Sequence, residues 1–144
     1  MMTIPGKPPA PTNMVHHIGI AVRDIEASLK IYKELFGLES GPITEVKESG
    51  VLGCFLPVGE TNLELLQATR PDSTIATFIE EHGEGLNHVC FEVAEVGKCL
   101  QSLDSLGISL IDHTPRRGLE GGLIGFLSPD VASGVLIELQ TSDD

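Results

Sequence analysis

Two histidines and two glutamates lie where solvation alone does not account for them. His17 begins the run HIGIAV and His88 begins HVCFEV, while Glu64 sits inside NLELL and Glu138 inside LIELQ. An ionised group in such an apolar run is costly to bury without a partner. Two imidazoles and two carboxylates together suit one divalent first-row metal ion. The set does not choose among Co, Zn, Mn and Ni, and the lack of thiolates argues against a structural zinc site. With open or exchangeable positions, such an ion is a Lewis acid. Spacing alone leaves one alternative: both glutamates face solvent and both histidines are satisfied polar residues at strand ends.

For four such residues to meet, strand starts and strand interiors must be brought together, and the chain supplies the necessary elements twice. Residues 17–22 read as a strand that is apolar on both faces. Asp24 then caps a helix carrying Ile25, Leu29, Tyr32, Leu35 and Phe36, and Gly37 stops it. Residues 51–57 and 63–66 read as a hairpin turning at Gly59-Glu60-Thr61. A short helix over 75–82, capped by Asp72 or Ser73 and ended by Gly83, follows. The pattern then recurs. Residues 88–93 are a strand, and Val96, Leu100, Leu103 and Leu106 mark a helix ended by Gly107. Residues 108–111 form a short strand, and 123–127 with 135–139 form a second hairpin.

The recurrence holds by position. His17 and His88 are 71 apart, Gly37 and Gly107 70, Phe55-Leu56 and Phe126-Leu127 71, and Glu64 and Glu138 74. Two copies of a βαβββ unit account for all four offsets. The expected fold class is therefore α+β, with two pseudo-symmetric βαβββ modules forming a curved mixed sheet around a metal-containing cleft. Module one covers about 14–69 and module two about 85–141, within a single domain over 14–144. Neither half buries enough surface alone.

The rest of the chain mainly excludes functions. Nine basic against 21 acidic residues give a net charge of −12, which disfavours nucleic acid and anionic membrane as partners. No apolar run approaches the length of a membrane span. Residues 1–13, with four prolines, read as a flexible N-terminal arm without the apolar core of an export signal, so the expected compartment is the cytoplasm. Cys54, Cys90 and Cys99 form no CxxC pair and read as reduced, buried thiols. His16 should point to the opposite strand face from His17. His82 at a helix end and His113 before Pro115 carry no assigned chemistry. Arg116 and Arg117 are the best candidates for a local basic patch, or else are a solvated loop pair.

The segments HHIGIAVRDIEASLKIYKELFGL, DSTIATFIEEHGEGLNHVCFEV and GVLIELQ resemble the vicinal oxygen chelate superfamily and, within it, the methylmalonyl-CoA epimerases. The resemblance runs from about Val15 to Gln140. It implies paired βαβββ modules with a metal at a shared cleft, and its ligand positions fall on His17, Glu64, His88 and Glu138. It also implies an acyl-CoA or thioester substrate and a homodimer. Three places depart from the family pattern. Gly53 stands where some epimerases carry a general-base glutamate, and Ser128-Pro129-Asp130 stand where many read H-P-K. Asn87 precedes His88 where a second histidine is usual.

The implied reaction is removal of a proton α to a carbonyl, with the metal drawing charge from the developing enolate. With Gly53 lacking a side chain, the expected proton carriers are Glu64 and Glu138, each also a ligand, as is inferred for the related lactoylglutathione lyases. A lactoylglutathione lyase-like or other acyl-CoA isomerase is one alternative. A non-catalytic small-molecule binding protein, of the antibiotic-sequestering kind, is an alternative of another class.

Overall fold

The computed structural model describes residues 6–141. The first five residues of the expected arm lie outside them. At the arm's end, the Thr12 hydroxyl donates to the Glu92 carbonyl at 2.7 Å.

The chain forms two compact units, residues 15–89 and residues 6–14 with 90–141. Each contains a β-α-β-β-β succession. The first comprises β1 (Val15–Ala21), α1 (Ile25–Phe36), β2 (Thr44–Val46), β3 (Val51–Val58) and β4 (Thr61–Ala68), followed by α2 (Thr74–His82). Next comes β5 (Gly85–Val93), which crosses the boundary between the units. The second succession continues with α3 (Val96–Ser105), β6 (Arg116–Arg117), β7 (Leu123–Phe126) and β8 (Ile137–Thr141). The strand order is β2-β3-β4-β1-β5 in the first unit and β5-β8-β7-β6 in the second. The sheet is mixed: β1 pairs with β4 in parallel, whereas β2–β3, β3–β4, β6–β7 and β7–β8 are antiparallel. The α+β class and its doubled module are as the sequence indicates.

Local chemistry sets the element ends. The Asp24 carboxylate accepts from the Ala27 N–H at 3.1 Å, and Gly37 closes α1 in the left-handed region at φ 68°. Ser73, of the two expected caps, is the one that caps α2. Gly59 and Glu60 alone join β3 to β4, with Gly59 at φ +64°.

In the first unit α1 covers one sheet face. Val22, Ile25, Cys54, Leu56 and Leu65 form that core, with Leu29 and Tyr32 packed against it. α2 covers part of the other face, where Ile75 and Phe78 meet Ala21, Val51 and Leu66. In the second unit α3 packs on β7 and β8.

Two details differ from expectation. β2 and β6 are strands of three and two residues, too short to show alternation in sequence. The strand expected over 108–111 reduces to a single bridge between Leu110 and Leu127. Ile108 N–H instead donates back to the Leu103 carbonyl at the end of α3. The Asp112 carboxylate then takes the Phe126 N–H at 2.9 Å, so a side chain fills the place of the next ladder partner. Among the described residues no helix is long and apolar enough to cross a membrane.

Candidate metal centre

The first unit places three of the four candidate ligands on one sheet face. β1 and β4 pair so that His17 stands opposite Asn62 and Gly19 opposite Glu64. Strand alternation then sets His17, Gly19 and Ala21 on the same face as Asn62, Glu64 and Leu66. On β3, Phe55 faces Glu64 directly. The opposite pleat, with Ile20, Leu63 and Leu65, turns into the core beneath α1.

His17, Glu64 and His88 converge. His17 Nε2 lies 3.1 Å from His88 Nε2, and Glu64 Oε1 lies 3.4 Å from the first and 3.2 Å from the second. Donors bonded at about 2.0–2.2 Å to one ion and separated by ordinary coordination angles stand about 3.0–3.5 Å apart. The three edges fall in that range, and the residues form a group able to hold a metal ion. Their exposures are 1%, 6% and 4%, which sets aside the solvent-facing alternative.

Each imidazole is also held from behind. His88 Nδ1 is 2.9 Å from the Asn87 side-chain oxygen, to which it donates when Nε2 faces a metal. His17 Nδ1 is 2.7 Å from His16 Nδ1. Contrary to the expectation that His16 turns away, its ring meets that of His17 edge-on, 5.0 Å between centroids, and both lean on Phe55. Gly19 is a site residue that side-chain chemistry could not reveal. A Cβ there would stand 2.1 Å from His88 Cε1, so the imidazole lies directly over bare backbone.

Glu138 belongs to the second unit. It lies in β8 directly opposite Phe126 and is 4% exposed. Catalysis aside, a carboxylate buried to that degree in an apolar strand requires a partner.

A family model described as the Glyoxalase/Bleomycin resistance protein/Dioxygenase superfamily matches residues 16–126. The chain belongs to that superfamily. An uncharacterized Bacillus subtilis protein, YqjC, is 37% identical over 88% of this chain and 91% of its own. The mitochondrial methylmalonyl-CoA epimerase of Dictyostelium discoideum is 33% identical over 88% of this chain and 76% of its own. A Streptomyces coelicolor methylmalonyl-CoA epimerase in complex with 2-nitronate-propionyl-CoA superposes with a TM-score of 0.87 at 33% identity, over 92% of this chain and 96% of that one.

Against this superfamily background, the departures have definite places. Gly53 is buried on β3 between Thr44 and Leu66, on the same pleat as Phe55. Backbone alone therefore occupies the site face there. Ser128 and Asp130 fall at the short 3-10 turn Pro129–Ala132 between β7 and β8. Cys54, Cys90 and Cys99 are all buried. Burial first, and then the Glu64 carboxylate, push the Cys54 thiol up to about 11 against a backbone hydrogen bond from Leu65, so it stays protonated at neutral pH. His82 stacks on Phe78, and His113 lies 3.4 Å from Asp104, both exposed.

Proposed function

We propose that this protein is a metal-dependent epimerase of methylmalonyl-CoA, acting by abstraction and return of the C2 proton. The observation that carries the reading is the buried triangle of His17, Glu64 and His88, its edges fitted to one ion. It is joined to a likeness to methylmalonyl-CoA epimerases over most of the chain. Glu138 is the fourth ligand in this reading, supported by its burial and by its correspondence to Glu64 in the repeat. A divalent ion such as Co, Zn, Mn or Ni, held by these four, supplies Lewis-acid polarisation of the thioester carbonyl.

The chain's own residues do the remainder. His17 and His88 hold their Nε2 atoms in place through the contacts at Nδ1. Epimerisation needs a base on one face of C2 and an acid on the other. With Gly53 lacking a side chain, Glu64 and Glu138 take those parts. One carboxylate oxygen removes the proton while the other carboxyl delivers one to the opposite face, together contributing about 10²–10⁴-fold in rate. The burial of both glutamates, 6% and 4% exposed, keeps water away from the reacting carbon. The same reading carries a homodimer acting in the cytoplasm, for which size-exclusion chromatography with light scattering tests the assembly.

The deciding experiment gives metal-stripped protein, and protein reloaded with each of the four ions, (2R)- or (2S)-methylmalonyl-CoA in D₂O. Metal-dependent deuterium entry at C2 with loss of stereochemical purity is the expected result. One tightly bound metal per chain without exchange would retain the site and transfer the activity to another thioester or hemithioacetal.

A further inference from the structure

The second unit holds a fixed cation that the reading above does not use. We propose that Arg116 is a specificity residue, its guanidinium receiving the free carboxylate of the substrate's acyl group; this deepens the epimerase reading and rests on it.

The registers of β6, β7 and β8 set the placement. Arg116 stands opposite Ile124, Ile124 opposite Gln140, and Phe126 opposite Glu138. Alternation puts all five side chains on one face of these strands. The other face belongs to α3: a Cβ on Gly125 would come within 2.8 Å of Leu100 Cδ1, and Leu139 is 2% exposed. Arg116 thus projects from the face that bears Glu138, two strands away.

Its guanidinium is held, not loose. Nε lies 3.0 Å from Asp112 Oδ1, and the Asp112 Oδ2 is itself fixed by the Phe126 N–H at 2.9 Å. The guanidinium carbon sits 5.2 Å above the Phe126 ring, and that ring is the direct neighbour of Glu138. Asp112 occupies the Nε side. Among the described residues no second acidic group pairs with Arg116 and no hydrogen bond is made by its Nη groups, which leaves a donor edge of the kind that takes a carboxylate in two parallel bonds.

Arg117, its neighbour, is spent differently. It stands on the opposite pleat, across from Leu123, and its Nη1 donates to the Gly121 carbonyl at 2.7 Å, closing the loop before β7. The pair therefore divides into one structural and one presenting arginine. In a chain of net charge −12, a preorganised cation on the same sheet face as the proposed proton-handling glutamate selects for an anion against the overall field. An acyl carboxylate is bonded to the reacting carbon and must lie close to that glutamate. The CoA phosphates sit at the far end of a long arm.

The test compares wild type, Arg116→Gln and Arg116→Lys in metal-loaded protein. Deuterium exchange at C2 is followed with methylmalonyl-CoA, its 3′-dephospho form, and 2-methylacetoacetyl-CoA, whose neutral ketone replaces the carboxylate. Arg116→Gln is expected to lower kcat/KM about 10- to 100-fold for both carboxylate substrates while leaving the neutral one within about threefold, and Arg116→Lys to recover part of the loss. An equal loss on the neutral thioester overturns the proposal, and so does a loss that disappears with the dephospho substrate, which would assign Arg116 to phosphate. If wild type exchanges none of the three, the epimerase reading falls, and Arg116 is judged by its Nε–H resonance. A shift on titration with methylmalonyl-CoA but not with the neutral thioester supports the carboxylate role, and no shift ends it.

Discussion

The two βαβββ halves share an order of elements but are built to different tolerances. In the first, β3 and β4 run eight residues each and are joined by a two-residue turn, so eight register pairs fix Glu64 against Phe55. α1 is capped by the Asp24 side chain and closed by a left-handed glycine. In the second, β6, β7 and β8 have two, four and five residues, and a 3-10 turn separates the last two. α3 begins at Glu95, which makes no side-chain cap bond. The ladder is shorter, and side chains such as Asp112 complete it. The long ladder fixes Glu64, one member of the proposed metal triangle, where tenths of an ångström matter to an ion. The short one carries Glu138 and Arg116, the groups proposed above to act on the substrate, on strands joined by longer connections.

The sharpest break in this division comes from ligand substitutions in the two halves. His88→Ala removes a donor that touches both other members of the triangle. Metal retained after dialysis, measured by elemental analysis, should fall by at least about a hundredfold in affinity, and exchange activity should vanish with it. Glu138→Gln should behave differently. The amide oxygen remains a donor, so metal content should stay within about tenfold of wild type, while turnover falls about 10²–10⁴-fold. If Glu138→Gln keeps full turnover with metal bound, Glu138 is not a proton carrier.

What could be read from the sequence follows the same division. The first half announces itself: HIGIAV, the Asp24 cap, Gly37 and the hairpin at Gly59 are local signals that tertiary packing reinforces. His17, Glu64 and His88 were legible because a polar residue in a buried strand has few explanations, and the repeat supplied a second copy of each. Other parts depend on approach between segments distant in sequence. Gly19 matters only because the His88 ring lies over it, 69 positions later. β2 and β6 exist through pairing with β3 and β7 and show no period of their own. His16 meeting His17 breaks the strict alternation on which strand reading rests. The division of labour between Arg116 and Arg117 is set by one residue of register, which no composition signal encodes.

A second test compares two of the buried thiols, Cys54 of the first half and Cys99 of the second. Burial raises both Cys54 and Cys99, and for Cys54 the value reaches about 11 from an ordinary 9.0. Below pH 9 folded and unfolded chains both hold the proton, and the stabilising contribution is complete. Above it the unfolded chain releases the proton first, so stability falls as pH climbs through about 11. At 1.36 kcal/mol per unit, the Cys54 share amounts to about 2–3 kcal/mol by the top of that window. Urea midpoints measured at pH 8 and pH 10.5 should show the decline, and Cys54→Ala should flatten it more than Cys99→Ala. Equal slopes in both variants would mean that neither thiol sets the alkaline limit.

The smallest effect isolates the helix starts, because it involves no metal and no ionisation near the site. Asp24 Oδ1 satisfies the Ala27 N–H, one of the four donors that a helix leaves open at its first turn. Asp24→Ala removes that bond and a negative charge from the positive end of the helix dipole, at a cost of about 1 kcal/mol. Glu95 occupies the matching position of α3 with no such bond, so Glu95→Ala should change stability by no more than about 0.5 kcal/mol. Thermal or urea unfolding of the two variants reads the difference directly. If both lose about the same, the caps do not distinguish the halves. The greater regularity of the first half would then reside wholly in its β3–β4 ladder, and shortening that ladder at Val58 and Thr61, its outermost pair, becomes the place where the ligand triangle should loosen.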